Sequence, residues 1–203
     1  MLEGFNRWFC CLVILLLAGC ASSVDCNVVS FHSLEEPHGE RVRLVHKDPA
    51  KTGGPEFKHY AAQIAPVLAK VGYRPLTSPD TDLVFEIGYG VGPGPEEITR
   101  LPRCSMRYHF RPHEPGGPLY YGMQCFDTGV EIREKFVHFL ELKVRRAGEG
   151  QPVVYEGMVH GLDASANLSV MMPYLIAALF DEFPGVSGEV RSVTIDRSAR
   201  PDK

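Results

Sequence analysis

The chain has 203 residues, 21 Lys and Arg against 25 Asp and Glu, a formal net charge of −4, and 44% hydrophobic residues. That length suffices to bury one core. A weakly acidic surface of mixed sign argues against a nucleic-acid partner, which needs a basic stripe.

The first element is an apolar run of eleven residues, Trp8–Ala18, without a charge. A spanning helix needs about 20 residues, so the run is too short to cross a bilayer. It matches the apolar stretch of a secretory signal, roughly 7–15 residues long and followed by small residues. Leu17-Ala18-Gly19-Cys20 resembles the lipobox of bacterial lipoproteins, an aliphatic residue and two small ones before a cysteine. The resemblance implies a signal peptide over 1–19, cleavage before Cys20, and acyl chains, palmitate among them, on that cysteine. One acyl chain holds only marginally at about 0.8 kcal/mol per buried methylene, so stable attachment takes more than one. Ala21 and Ser22 follow, with no aspartate, and by the same resemblance the periplasmic leaflet of the outer membrane is favoured. The alternative is an ordinary signal peptide with an incidental cysteine.

Asn27–Leu34 reads as an opening strand, and Glu35–Gly54 as a polar loop with a short strand at Val42–Val45. Phe57, Ala61, Ile64, Leu68 and Val71 recur at helical spacing and predict a helix over Pro55–Val71, started by Pro55 and stopped by Gly72. Pro66 should kink it by removing the bond to the Ala62 carbonyl. Asp82–Val91 alternates apolar and polar residues as a half-buried strand does. Further strands are predicted over Ile132–Arg146, Pro152–His160 and Glu189–Ile195. A second helix is expected over Leu168–Phe183, with Ser169 as its N-cap and Pro184-Gly185 as its stop.

Between these lies a hairpin. The flanks of Pro112–Pro118 pair in one register that puts Cys104 opposite Cys125, Met106 opposite Met123, Tyr108 opposite Tyr121, and Phe110 opposite Leu119. Every one of those residues is apolar or a thiol, whereas the alternate residues are mostly polar. Patterning of this kind sets register, because a one-residue slip exchanges the faces. Opposed α-carbons stand about 4.5–5.5 Å apart, which a disulfide accepts. A Cys104–Cys125 disulfide is therefore expected in an oxidising compartment, against the alternative of two reduced thiols packed as small hydrophobes. Cys26 is the odd thiol.

Other sites are weak. Cys104, His109, His113 and Cys125 are zinc-ligand types, but strand parity puts His109 on the face opposite the cysteines, and no metal is assigned. Loop histidines such as His38 and His46 read as solvated. The glycines from Gly88 to Gly94 lack the GxGxxG pattern and a following Lys-Ser/Thr, so they suit a bend or close packing better than a phosphate. No GxSxG elbow is present. Glu86, Glu141 and Glu156 read as a solvated face, and no cofactor is implied.

From Phe57 almost to the C-terminus the segments resemble the bacterial lipoprotein family called domain of unknown function 4136. They are Leu68-Ala69-Lys70-Val71-Gly72-Tyr73, Pro79-Asp80-Thr81-Asp82-Leu83-Val84, Gly88-Tyr89-Gly90-Val91-Gly92, Val154-Tyr155-Glu156-Gly157, and Leu179-Phe180-Asp181-Glu182-Phe183-Pro184. The resemblance implies a lipid-anchored α+β domain with no established activity.

The expected fold is α+β, an antiparallel sheet of five to six strands with two helices packed on one face. The expected layout is a signal peptide over 1–19, a lipidated start, first strand and polar loop over 20–54, the α+β domain over 55–195, and a frayed tail over 196–203. The function expected is a non-enzymatic binding or scaffolding domain facing the periplasm. It would be held to the membrane through Cys20 and engage a periplasmic protein or small ligand. The alternatives are a small-molecule or lipid carrier with a helix–sheet pocket, and a hydrolase with dispersed acidic residues.

Overall fold

The structure, a computed structural model, describes residues 22–109, 120–148, 150 and 152–197, with backbone alone over 99–109 and 120–130. In chain order the elements are β1 (Ser23–His32), β2 (Arg41–His46), α1 (Pro55–Val71), β3 (Arg74–Pro75), β4 (Leu83–His109), β5 (Tyr120–Arg146), β6 (Val153–Asp163), α2 (Leu168–Phe180) and β7 (Val190–Asp196). They form one seven-stranded sheet in the order β3-β2-β4-β5-β6-β1-β7.

The sheet is mixed, which corrects the expectation of an antiparallel sheet of five to six strands. β2 runs parallel to both β3 and β4, with Leu44 opposite Phe85. Parallel neighbours need a crossover of a dozen or more residues, usually a helix. β2, α1 and β4 form that unit. The short strand expected at Val42–Val45 is β2, but it was read as an island in a polar loop, so its parallel pairing with β4 across α1 went unseen. Ser23–His32 sits between β6 and β7, so the sheet draws on residues before position 55 as well as after it.

One face of the sheet is buried. Val24, Cys26 and Val28 of β1, Val42 of β2, Leu83, Phe85 and Ile87 of β4, Leu140, Leu142 and Val144 of β5, and Tyr155 and Val159 of β6 share a single apolar cluster with both helices. From α1 come Phe57, Tyr60, Ile64 and Leu68, and from α2 Met171, Met172, Leu175, Ile176 and Leu179. The alternate strand residues form the open face. There Lys47 pairs with Glu141 at 2.5 Å, Lys143 with Glu156 at 2.7 Å, and Arg145 with Glu86 at 3.5 Å.

α1 ends at Gly72, whose φ of 113° suits glycine alone. The helix continues through Pro66 to Val71. The cap of α2 is Asn167 and not Ser169, because Asn167 Oδ1 accepts from the Ser169 amide at 3.1 Å. Asp181 has left helical geometry, so α2 stops at Phe180, three residues before the expected end.

β4 and β5 are 27 residues each and pair with one another along their length. Among the described residues only their sheet halves have other strand neighbours, and beyond Phe136, which pairs with Asp163, they continue as a two-stranded ribbon. Register shifts between Pro93 and Glu96 and between Leu101 and Pro102 mark bulges along it.

Candidate binding groove

The edge of the sheet beside α1 is incompletely covered. β3 contributes only Arg74 and Pro75, paired with Arg41 and Val42. Among the described residues the outer edge of β2 from Arg43 onward therefore has no strand neighbour. In a parallel ladder alternate residues turn their amides to the same side, and Leu76 N–H donates to the Val42 carbonyl at 2.8 Å on that outer side. The same side carries the backbone groups of Leu44 and the His46 amide, which donates to Thr52 Oγ1 at 3.0 Å.

Between this edge and α1 lies a groove of about 690 Å³, walled by Leu44, Phe57, Ala61, Ala62, Ala65, Pro75 and Leu76. The small alanines keep the helix side of the groove open. Arg43 and Lys58 also line it. Among the described residues neither has a carboxylate partner, and Arg43 Nε is buried without a hydrogen bond. Lys47, Lys143 and Arg145 of the open face, by contrast, are each matched by a carboxylate. The groove thus joins apolar walls, a strand edge left without a strand partner at Leu44 among the described residues, and two unmatched positive charges. Its volume falls in the range of small-molecule sites, about 300–1,000 Å³.

An aromatic cluster holds the floor of α1 in place. His46 stands edge-on to Phe57 at 6.0 Å and to Tyr89 at 5.1 Å, and Tyr60 meets Tyr89 at 4.9 Å. The Asp48 amide donates to His46 Nδ1 at 2.8 Å. His46 is buried, which corrects its reading as a solvated loop histidine, because the segment is a strand whose even-numbered residues face the core. Burial pushes the Tyr89 hydroxyl up to about 12, helped by Glu56.

The resolved carboxylate shifts run downward. Arg41 holds Asp82 below the usual range, Lys135 does so for Glu97, and Lys143 for Glu156. Burial pushes Asp163 up, but hydrogen bonds from Arg197 and the Ser165 amide, with the charges of Arg197 and His138, outweigh it. Carboxylates held ionised in this way are ion-pair partners, whereas a general acid at neutral pH needs the opposite shift.

Of the residues singled out in the sequence, Cys20 lies outside the described residues. Cys104 and Cys125 are direct backbone partners, as are Met106 with Met123 and Tyr108 with Tyr121. Phe110 with Leu119 and the sulfurs of the cysteine pair lie outside the described part. His109 pairs with Tyr120, and His113 is not described. Among the described residues no three metal-ligating side chains come together. Gly90 lies under the ring of Phe139, and Gly94 sits against the Lys135–Phe136 backbone at the first bulge. Arg43 and Lys58 were missed by sequence reasoning, since only the parallel placement of β2 at the sheet edge brings a strand arginine and a helix lysine to one groove.

No family model matches the chain, and no curated protein matches it. Among solved structures it is similar to the PelC dodecamer from Paraburkholderia phytofirmans in two crystal forms. The identity is 15%, the TM-scores are 0.41 and 0.39, and the match covers 76% of this chain and 93% and 94% of those. It is also similar to a PDZ domain protein from Parabacteroides distasonis, at 10% identity and a TM-score of 0.49, over 90% of this chain and 41% of that one.

Proposed function

We propose that the chain is a lipid-anchored protein of the bacterial envelope. Acyl chains on Cys20 hold it at the periplasmic face of the outer membrane, and its α+β domain binds a periplasmic partner without catalysis. The order of its segments supports placing it beside the lipoproteins of domain of unknown function 4136. The observation that carries the reading is Leu17-Ala18-Gly19-Cys20, followed within three residues by the start of β1 at Ser23. A tether this short keeps the domain against the membrane. The binding surface is the α1–β2 groove, where an extended segment can pair with the outward backbone groups of Leu44 in β2.

Growth with labelled palmitate tests the anchor. Label is expected in the wild-type protein and not in Cys20→Ser; equal label in both defeats the reading. A second reading is favoured by the groove's volume and its walls of Leu44, Phe57 and Leu76, namely a carrier of a small apolar molecule or lipid. Crosslinking in the native envelope and organic extraction of the purified protein separate the two. A captured protein supports the first, and a stoichiometric extracted lipid the second.

A further inference from the structure

A second cavity lies at the opposite edge of the sheet from the groove, where the end of α2 meets β1 and β7. It measures about 410 Å³, within the range of small-molecule sites, about 300–1,000 Å³. Val28, Tyr155 and Leu179 give it apolar walls. Val28 and Ser30 share one face of β1, and Arg191 of β7 stands opposite Val28, so all three project to the helix side of the sheet. Ser30 stands opposite Gly157, and a Cβ on that glycine would collide with the Tyr155 hydroxyl. The missing side chain lets the Tyr155 ring lie along its own strand, with its hydroxyl on Ser30.

The loop that closes the cavity, residues 181–189, is tied down on β1. The Pro184 carbonyl accepts from Ser30 Oγ at 3.1 Å, the Gly188 amide donates to the Ser30 carbonyl at 2.7 Å, and Ser187 Oγ accepts from the His32 amide at 3.0 Å. Glu182 holds a φ of 53°, a backbone region sparsely occupied outside glycine. Its carboxylate accepts from Arg191 Nη1 at 2.9 Å, and Asp181 accepts from the same nitrogen at 3.1 Å. Glu189 also lines the cavity and has no cationic partner among the described residues. One arginine thus stands among three carboxylates, and the mouth is net negative.

The buried polar atoms point to the same ligand chemistry. Ser30 is 5% exposed and Tyr155 1%. Ser30 gives its single proton to the Pro184 carbonyl, so toward Tyr155 it accepts. Burial pushes the Tyr155 hydroxyl up to about 12, so at neutral pH it keeps the proton it donates. Both hydroxyls are then left with lone pairs alone to offer the cavity, and a ligand must bring the donors. We propose that this cavity binds a small primary amine, an ammonium group on a short apolar body, through the hydroxyl oxygens of Tyr155 and Ser30 and the charge of Glu189. An ammonium brings three donors, a positive charge and no acceptor. Its apolar body gains by leaving water against Val28, Leu179 and Val186. A carboxylate or phosphate would set lone pairs against lone pairs and add negative charge to a negative mouth. The site is separate from the groove and does not depend on acylation at Cys20.

The test titrates the full mature chain carrying Cys20→Ser with n-pentylamine, 1-pentanol and pentanoate by calorimetry. Pentylamine is expected to bind at least about tenfold more tightly than pentanol, and pentanoate is expected not to saturate. Glu189→Gln, at an exposed position that leaves the fold intact, should weaken the amine about fivefold or more with the thermal midpoint unchanged. Tyr155→Phe should weaken it as well, and because that side chain is buried its thermal midpoint is measured alongside. Glu86→Gln, on the open face, should leave amine binding as it was. No saturable binding of pentylamine, equal affinity for pentanol, or amine affinity indifferent to Glu189→Gln overturns the proposal.

Discussion

The ring of Phe139 lies across Gly90 on the neighbouring strand, so close that a Cβ built on the glycine would stand 2.7 Å from Cζ. Two residues on along β4, Gly92 has nothing within 4 Å of a Cβ built in the same way. Gly90→Ala should therefore force the ring aside and cost about 1–3 kcal/mol by overpacking. Gly92→Ala should cost nothing measurable. Urea unfolding of the two variants checks the difference, and equal midpoints would refute the contact.

Cys26 is fully buried, and burial, with the charge of Asp25 adding, pushes its thiol up to about 11 from an ordinary 9.0. It should resist iodoacetamide at pH 8 in the folded protein. Denatured without reductant, the acylated chain should expose one reactive thiol, because Cys104 and Cys125 are proposed to be bonded. With reductant it should expose three. Three thiols before reduction would eliminate the disulfide.

Acid should weaken the fold through its paired carboxylates. Asp82, Glu97, Glu156 and Asp163 are all held below their ordinary values of 3.8 for aspartate and 4.5 for glutamate. A group lowered in the folded state contributes stability above its unfolded pKa and loses it as pH falls through the folded one. Stability to urea should thus be flat from pH 7 to about 5 and decline below about 4. Arg197→Ala, which removes the partner of the largely buried Asp163, should lower stability at pH 7 and make the acid decline shallower, because the folded carboxyl is then no longer held below its unfolded value.

Ala62 is exposed and lines the groove. Ala62→Trp should fill the space while changing stability by less than about 1 kcal/mol, as surface substitutions do. Crosslinking of the native partner, or the yield of extracted lipid, should fall at least about fivefold, equivalent to roughly 1 kcal/mol of binding. Unchanged capture would move the binding surface elsewhere.

Much of the architecture is local and could be read along the chain. α1 begins at Pro55 and stops at Gly72 because proline and glycine act on their own backbone. The register of Cys104 with Cys125 followed from the alternation of apolar and polar residues on both flanks, since pairing by face leaves one solution. The N-cap of α2 was misplaced by two residues because Asn167 and Ser169 are both capping types. Only the chain path shows which of the two has left helical geometry.

The sequence by itself determined the number of helices and the hairpin register, and it carries the lipobox-like motif ending at Cys20 on which the proposed anchor rests. Each depends on neighbours within a few residues or on a strict period of two. Only the tertiary structure decided that β2 pairs parallel with β4 and that Arg43 and Lys58 line one groove without carboxylates. Those facts depend on which distant segments become neighbours, and that is settled by burying one shared apolar face beneath both helices.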